Sequence, residues 1–299
     1  MQPVVILDEG VGPPAPSRSS SRANQGRSTF GEWVVLRSVS LEGGRGPGPP
    51  LSSTEEITRA LRGALLRHAI DPPPAALSGH TPDGRLLARP HAAFLALPSL
   101  GPSSHNASVT RVAIVLPHGI APRDREAVLR AVARWQQRGM RLVLGRLGAM
   151  QLSCAAGSAA EEGLGPDTWL GPARRWASVT PVALHRNPGK LTSPDPAVAA
   201  RAARRAEEIV SDACTHVGLP APVRVRIMRR SRFPGVPAAP EFMPYPRKQA
   251  EGARFQRVCA HVELEFDEAV QGPVLLGAGR YFGLGLCQPP AGAFEDGDR

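Results

Sequence analysis

Five glycines fall within fifteen residues near the C-terminal end of the chain. Gly272, Gly277, Gly279, Gly283 and Gly285 punctuate GPVLLGAGRYFGLGL, residues 272–286, together with Arg280 and the aromatic pair Tyr281 and Phe282. Glycine reaches positive φ and lets another backbone come close, at an entropic cost. Repeating that cost points to a surface made for close approach. Two phosphate-binding templates do not fit. No Gly-Lys-Ser/Thr ends the stretch, and Gly277-Ala278-Gly279 lacks a third glycine three residues on. Two readings stay open. One is a loop whose amides and Arg280 form an anion-binding nest. The other is a glycine-rich β-turn whose Val274, Leu275, Leu276 and Leu284 fill a core. The densest basic run, Arg224, Arg226, Arg229, Arg230 and Arg232, reads equally as a phosphate-binding face or a solvated strand face. Cys154, Cys214, Cys259 and Cys287 lie far apart, with no Cys-x-x-Cys pair, so the pattern predicts reduced thiols and no metal.

The 36 basic residues outnumber the 26 acidic ones, for a formal charge of +10 over 299 residues. Such a balance favours a polyanionic partner, nucleic acid ahead of membrane. No apolar run approaches the length of a membrane span, and the start, with Asp8 and Glu9, lacks the basic region of a secretory signal. A cytoplasmic protein is expected.

Residues 1–28 mix Pro, Gly, Ser and Arg without periodicity and read as a flexible lead-in. A first domain is predicted over 29–154. Gly31–Ser40 reads as a strand. Ser53 and Glu56 have the spacing of a capping box opening a helix, whose Ile57, Leu61, Ala64 and Leu65 share a side. Ala92–Leu97 and Thr110–Leu116 read as strands, Arg123–Arg138 as a helix closed by Gly139, and Arg141–Leu144 as another strand. After a linker over 155–173, a second domain over 174–290 repeats the order. Trp176–Leu184 is a strand interrupted by Pro181, and Pro196–Val217 a helix ending at Gly218. Val223–Ile227 and Arg257–Phe266 alternate as strands, which places His261 on a polar, surface face. Asp267–Gln271 is a short helical turn, and the glycines lead into a last strand. The tail, 291–299, is acidic. The fold class is therefore α+β, with tandem ferredoxin-like βαββαβ domains and a C-terminal glycine-rich loop.

This arrangement resembles the RAMP superfamily of CRISPR-associated RNA-binding proteins, whose signature is a glycine-rich loop before the last strand. More narrowly, LRGALLRH (61–68), LSGH (77–80), RPHAAFLALPSLG (89–101), WASVTPVALHR (176–186), VGLPAPVRV (217–225) and the glycine stretch are similar to the type I-U subunit in which Cas-five and Cas-six modules are fused. All belong to the Cas-six-like half, and an N-terminal Cas-five-like module is expected to be missing or encoded separately. His105-Asn106-Ala107-Ser108 departs from the family's His-Ala-Asp-Gly-like run.

The resemblance implies metal-independent cleavage of CRISPR repeat RNA, by attack of a ribose 2′-hydroxyl on the neighbouring phosphate. It also implies retention of the product crRNA alongside other Cascade-type subunits, with no cofactor. Such chemistry needs a proton acceptor, a proton donor and cations, roles that suit histidine and arginine. His91 and His80 are the catalytic candidates, because both fall in family-like segments near loop–strand junctions. The resemblance makes Gly277, Gly279, Arg280, Tyr281, Gly283 and Gly285 the RNA cradle, with Tyr281 or Phe282 stacking on a base. Arg224, Arg226, Arg229 and Arg230 are carried as backbone contacts. His68, at a helix end, suits the helix dipole. Two other readings stand beside this one: a guide-RNA-binding subunit of the same fold that does not cut, and a small-molecule enzyme that uses the glycine loop for a nucleotide.

Overall fold

A computed structural model describes residues 27–43, 48–100, 106–154, 167–242, 247–248 and 254–290. The expected lead-in (but for its last two residues), the His105 side of its loop, most of the linker and the acidic tail lie outside the described residues.

The first half opens with β1 (Phe30–Glu42), whose Phe30, Trp33 and Leu36 point into the core. A single 3₁₀ turn at Leu51–Ser53 feeds α1 (Thr54–His68), and the Thr54 hydroxyl donates to the Leu51 carbonyl at 2.6 Å. The expected capping box does not form. Ser53 belongs to the entering turn, with φ −87° and ψ 17°, and its side chain makes no capping bond. The predicted apolar side of α1, Ile57, Leu61, Ala64 and Leu65, is fully buried. The short α2 (Ala75–Ser78) then leads to β2 (Ala93–Pro98) and β3 (Val109–Pro117). Next comes α3 (Pro122–Gln137), which begins on a proline suited to a first helical turn and buries Val128, Ala131, Val132 and Trp135. The strand expected at Arg141–Leu144 is only a three-residue edge strand, β4 (Arg141–Val143). The chain doubles back through Gly145–Gly148 into β5 (Ala149–Cys154), and this strand pairs with β1.

The second half starts at α4 (Asp167–Leu170), followed by β6 (Pro172–Ser178). Pro181 does break the stretch. Beyond it, β7 (Val182–Ala183) pairs with residues 259–260 of the long strand described below. The helix α5 (Pro196–His216) is capped by the Asp195 carboxylate, which accepts from the Ala197 amide at 2.8 Å, and it gives way to Gly218 at φ +82°. Then follow β8 (Arg224–Met228), a small hairpin of β9 (Arg247–Lys248) with β10 (Arg254–Phe255), and β11 (Cys259–Gln271). Asp267–Gln271 is not helical. It continues β11, and Val270 and Gln271 pair with Ala173 and Pro172 of β6. The chain closes with β12 (Val274–Leu275) and β13 (Leu286–Gln288).

Both sheets are antiparallel and place their strands alike. In the first the order is β2-β3-β1-β5, with β4 added at the edge, and in the second it is β8-β11-β6-β13 with β12 outside. Each unit therefore puts its first strand between the third and the last, the ferredoxin-like order. Among the described residues the second unit has no counterpart of α3; β12 and the glycine-rich loop occupy that point in the chain.

The cores show why this matters. One apolar cluster gathers α5 with Trp176, Val262, Leu264 and Phe266. The other, centred on the first sheet and its helices, also takes in Val179, Ala183, Leu275, Leu284 and Leu286. The loop of the second unit is thus built into the hydrophobic core of the first.

Candidate functional site

The loop between β12 and β13 is held by protein on every side that its glycines open. Gly277, Gly279, Gly283 and Gly285 are buried. At Gly285 (φ +75°) a Cβ would stand 2.1 Å from the Leu276 carbonyl oxygen, and at Gly283 (φ +76°) it would meet Thr54 at 2.8 Å and the Phe94 carbonyl at 3.1 Å. Main-chain groups are engaged too. The Ala278 amide donates to Ala183 at 2.8 Å and the Gly285 amide to Pro181 at 2.9 Å. The Thr58 and Thr180 hydroxyls donate to the carbonyls of Phe282 and Gly283, at 3.0 and 2.7 Å. Close approach is what the glycines provide, as their spacing suggested, but the partners in these contacts are α1, β2, the chain at residues 180–183 and the loop's own Leu276. The expectation of a bare main-chain cradle is corrected accordingly. The half-buried side chains of Arg280, Tyr281 and Phe282 are what the loop presents, on one 3₁₀ turn.

Those side chains meet the first unit at His91. The Ala92 amide is tied to the Ala76 carbonyl at 2.8 Å, which sets the entry into β2 and the direction of the preceding imidazole. The ring lies on Tyr281, with centroids 3.8 Å apart and planes 19° apart. On another side it abuts Gly79, the left-handed cap of α2 at φ +71°, where a Cβ would stand 2.9 Å from Nε2. The ring Nδ1 is 3.0 Å from the Ala92 carbonyl oxygen. A carbonyl only accepts, so Nδ1 carries the proton and Nε2 keeps a lone pair. One face of Tyr281 is thereby occupied by His91, not open to a base.

Cations surround this ring. Arg280 reaches over Tyr281, its guanidinium carbon 4.6 Å from the ring centroid, and donates to the Gly277 carbonyl at 3.0 Å. Arg62, on α1, donates to the Ser78 carbonyl. One turn earlier, Arg59 pairs with Glu55 at 2.5 Å and lies 4.4 Å from the Phe282 ring. His80, exposed at the rim, has Nδ1 2.9 Å from the Ser78 carbonyl oxygen. Burial pushes the His91 pKa down to about 4. The bond to the Ala92 carbonyl opposes that shift, and the charges of Arg62 and Arg280, with His80, add to it. At neutral pH His91 is therefore uncharged with positive charge on hand. Its Nε2 lone pair is free to take a proton, although the lowered pKa makes it a weaker base than an ordinary imidazole.

The structure brings His91, His80, Arg280 and Tyr281 together and leaves the other nominated arginines apart. Arg224 and Arg226 lie on β8, at the far side of the second sheet from β13. Two strands intervene, so the separation across the sheet is roughly 14 Å at normal strand spacing. In register, Arg226 faces Glu263 and Arg224 faces Glu265. Glu263, 3% exposed, sits between Arg226 at 3.6 Å and Arg232 at 3.3 Å, while Glu265 pairs with Arg175 at 3.1 Å. The face is largely an ion-pair ladder. Arg229 and Arg230 lie just beyond it and are exposed.

His261 overturns its surface assignment. It is fully buried, 3.0 Å from the Ser178 hydroxyl and 3.1 Å from the Pro237 carbonyl, because the 231–242 segment covers that face of β11. His68 ends α1 as expected, with Nδ1 2.7 Å from the Ala64 carbonyl. Arg59 and Arg62 were not singled out. Their signal was there, a three-residue spacing on the helix that opens the first family-like segment. Among the described residues no group of three or more His, Cys, Asp or Glu is placed to hold a metal, and no helix is long and apolar enough to cross a membrane. All four cysteines are free thiols, and burial pushes Cys214 up to about 12.

Residues 53–289 match the family model described as CRISPR-associated protein, GSU0054 family. No curated protein matches the chain by sequence. Among solved structures, a crystal structure of Cas6b aligns over 86% of this chain and 98% of its own, at 8% identity and TM-score 0.43. Two Cas6 product complexes align over 86% and 87% of this chain and 98% and 99% of their own, at 16% and 15% identity and TM-scores of 0.36 and 0.39. At these levels no residue role passes from those structures to this chain.

Proposed function

Because the chain belongs to the GSU0054 family of CRISPR-associated proteins, we propose that it is an endoribonuclease that matures CRISPR RNA by cutting the repeat. The observation that carries this reading is the neutral His91, clamped by Tyr281 and flanked by Arg62 and Arg280, at the junction of the two units. In the reaction, His91 Nε2 accepts the proton of a ribose 2′-hydroxyl as that oxygen attacks the adjacent phosphorus. Arg62 and Arg280 stabilise the phosphorane oxygens, where a planar guanidinium makes two directed bonds. The P–O5′ bond breaks and the leaving oxygen takes a proton from His80, giving a 2′,3′-cyclic phosphate and a 5′-hydroxyl. No step calls on a metal ion. Arg229 and Arg230 supply phosphate contacts away from the cut, and the product stays bound within a Cascade-type complex of the type I-U kind, in the cytoplasm.

A second reading has its own support. His91 is half buried, and Tyr281 covers one face of its ring. Those facts favour a guide-RNA-binding subunit that grips without cutting. Incubating the protein with labelled repeat RNA in EDTA separates the two. A single cut supports the nuclease, binding without a cut supports the second reading, and absence of binding removes both.

A further inference from the structure

The C-terminal ends of α1 and α3 converge on a second basic feature that the reaction does not use. His68, the last residue of α1, stacks near Trp135 of α3 with centroids 6.2 Å apart, which fixes the two helix ends side by side. Between them opens a concavity of about 660 Å³ lined by Arg67, His68, Ala69, Arg134, Gln137 and Arg138. The three arginines are exposed, and no ion pair joins them to a carboxylate among the described residues.

The ordinary explanation for a basic residue in a last helical turn is the helix dipole, and it accounts for part of this. Its size shows how much is left over. Each helix end carries roughly half a negative charge, about one unit for the pair, against three guanidinium charges. Arg134, in the last turn of α3, and Arg138, its C-cap, also stand four residues apart, which sets two like charges side by side at the helix end. A surplus of about two positive charges around a cavity large enough for a nucleotide is a site for an anion.

We propose that this concavity is a second RNA-binding site, which grips phosphodiesters of the bound RNA beyond the cleaved position. The proposal rests on the RNA-processing reading. Three guanidinium groups dominate the lining of this open concavity, and its one ring, His68, already stacks near Trp135. The site therefore recognises backbone rather than base and adds affinity, not sequence choice.

The test is a salt series of repeat-RNA binding by the full chain, comparing the unmodified protein with R67A/R134A/R138A. A matched variant, R201A/R204A/R205A, removes the same charge from the exposed side of α5. Losing two to three phosphate contacts lowers the log–log salt slope by roughly 1.5–2.5 and weakens binding about tenfold or more near 0.15 M salt. The α5 variant keeps the original slope, and R67K/R134K/R138K, which restores charge, recovers most of it. Truncating the RNA to the few nucleotides around the cut should abolish the difference between the unmodified protein and the alanine variant. An unchanged slope in R67A/R134A/R138A overturns the site while leaving the nuclease reading intact. An equal drop in the α5 variant overturns it too, since the effect is then bulk charge. Failure of the unmodified protein to bind repeat RNA overturns the functional reading and this site together.

Discussion

His91 of the first ferredoxin-like unit and Tyr281 of the second lie ring on ring, 3.8 Å between centroids. His91 is set by α2 of its own unit, through Ala76 and Gly79, whereas the segment that carries Tyr281 is held in place by the first unit. Tyr281 rides on a turn flanked by Gly283, which is wedged against Thr54 and Phe94, and its core neighbours Leu284 and Leu286 belong to the first unit's cluster. The site therefore exists only while the two units stay docked.

Tyr281 acts as a positioning residue, and its substitution separates geometry from contact. Tyr281→Ala should lower single-turnover cleavage by roughly 10²-fold, the cost of a catalytic group displaced by about 1 Å, with RNA affinity much less affected. Tyr281→Phe keeps the stacked ring and should retain most of the rate. Equal losses in both variants would argue for a chemical role of the hydroxyl instead.

The depressed pKa of His91 has a consequence for rate. In free protein the base is lost only as pH falls through about 4. Bound phosphate offsets the charges of Arg62 and Arg280 and so raises the pKa in the complex. The acidic limb of kcat/KM should accordingly lie at lower pH than that of kcat. A pH series of single-turnover rates at limiting and saturating protein checks the order of the two limbs.

The same shift has a consequence for stability. His91 and the buried His261 both have folded pKa values of about 4, each below the ordinary 6.5 and each lowered mainly by burial. Below pH 6.5 the unfolded chain takes up protons that the folded chain refuses, so stability rises with pH across this window. The stabilisation is present above about 6.5 and is lost as pH falls toward 4. Melting midpoints between pH 7 and 4.5 should fall, and His91→Gln should make the fall shallower.

Glu263 and Gly283 should behave as structural positions. Removing the Glu263 carboxylate takes an ion-pair partner from both Arg226 and Arg232, and because both arginines are partly exposed the cost should be about 2–3 kcal/mol, below the range for a fully buried pair. Gly283→Val combines a contact at 2.8 Å with a left-handed backbone and should cost about 2 kcal/mol or more. It should also lower the cleavage rate by shifting Tyr281. Urea denaturation of each variant, set beside its cleavage rate, distinguishes the two positions: Glu263→Ala loses stability with little change in rate per folded molecule.

The first three strands of each unit and the helices α1, α3 and α5 could be read from periodicity, as α5 shows, with its apolar repeat and its Gly218 stop. The exceptions have physical reasons. At β5, AMQLSC, polar and small residues dilute the pattern, and the strand is held by pairing with β1 instead. The buried His261 and Glu263 fall on the alternating polar face of β11. Only the covering 231–242 segment and the flanking arginines, distant in sequence, make that face an interior. At the site, His91, His80 and Arg280 were nominated, but the stacking of His91 on Tyr281 joins residues 190 positions apart, and no local pattern encodes it.

The central claim is that His91 removes the proton of the attacking hydroxyl. Its most direct measurement is single-turnover cleavage of labelled repeat RNA in EDTA by the unmodified protein and by His91→Ala, with affinity measured in parallel. The account predicts one cut leaving a 2′,3′-cyclic phosphate, and a loss of roughly 10²–10⁴-fold in the variant while binding is retained. A variant that cuts at the unmodified rate would contradict it.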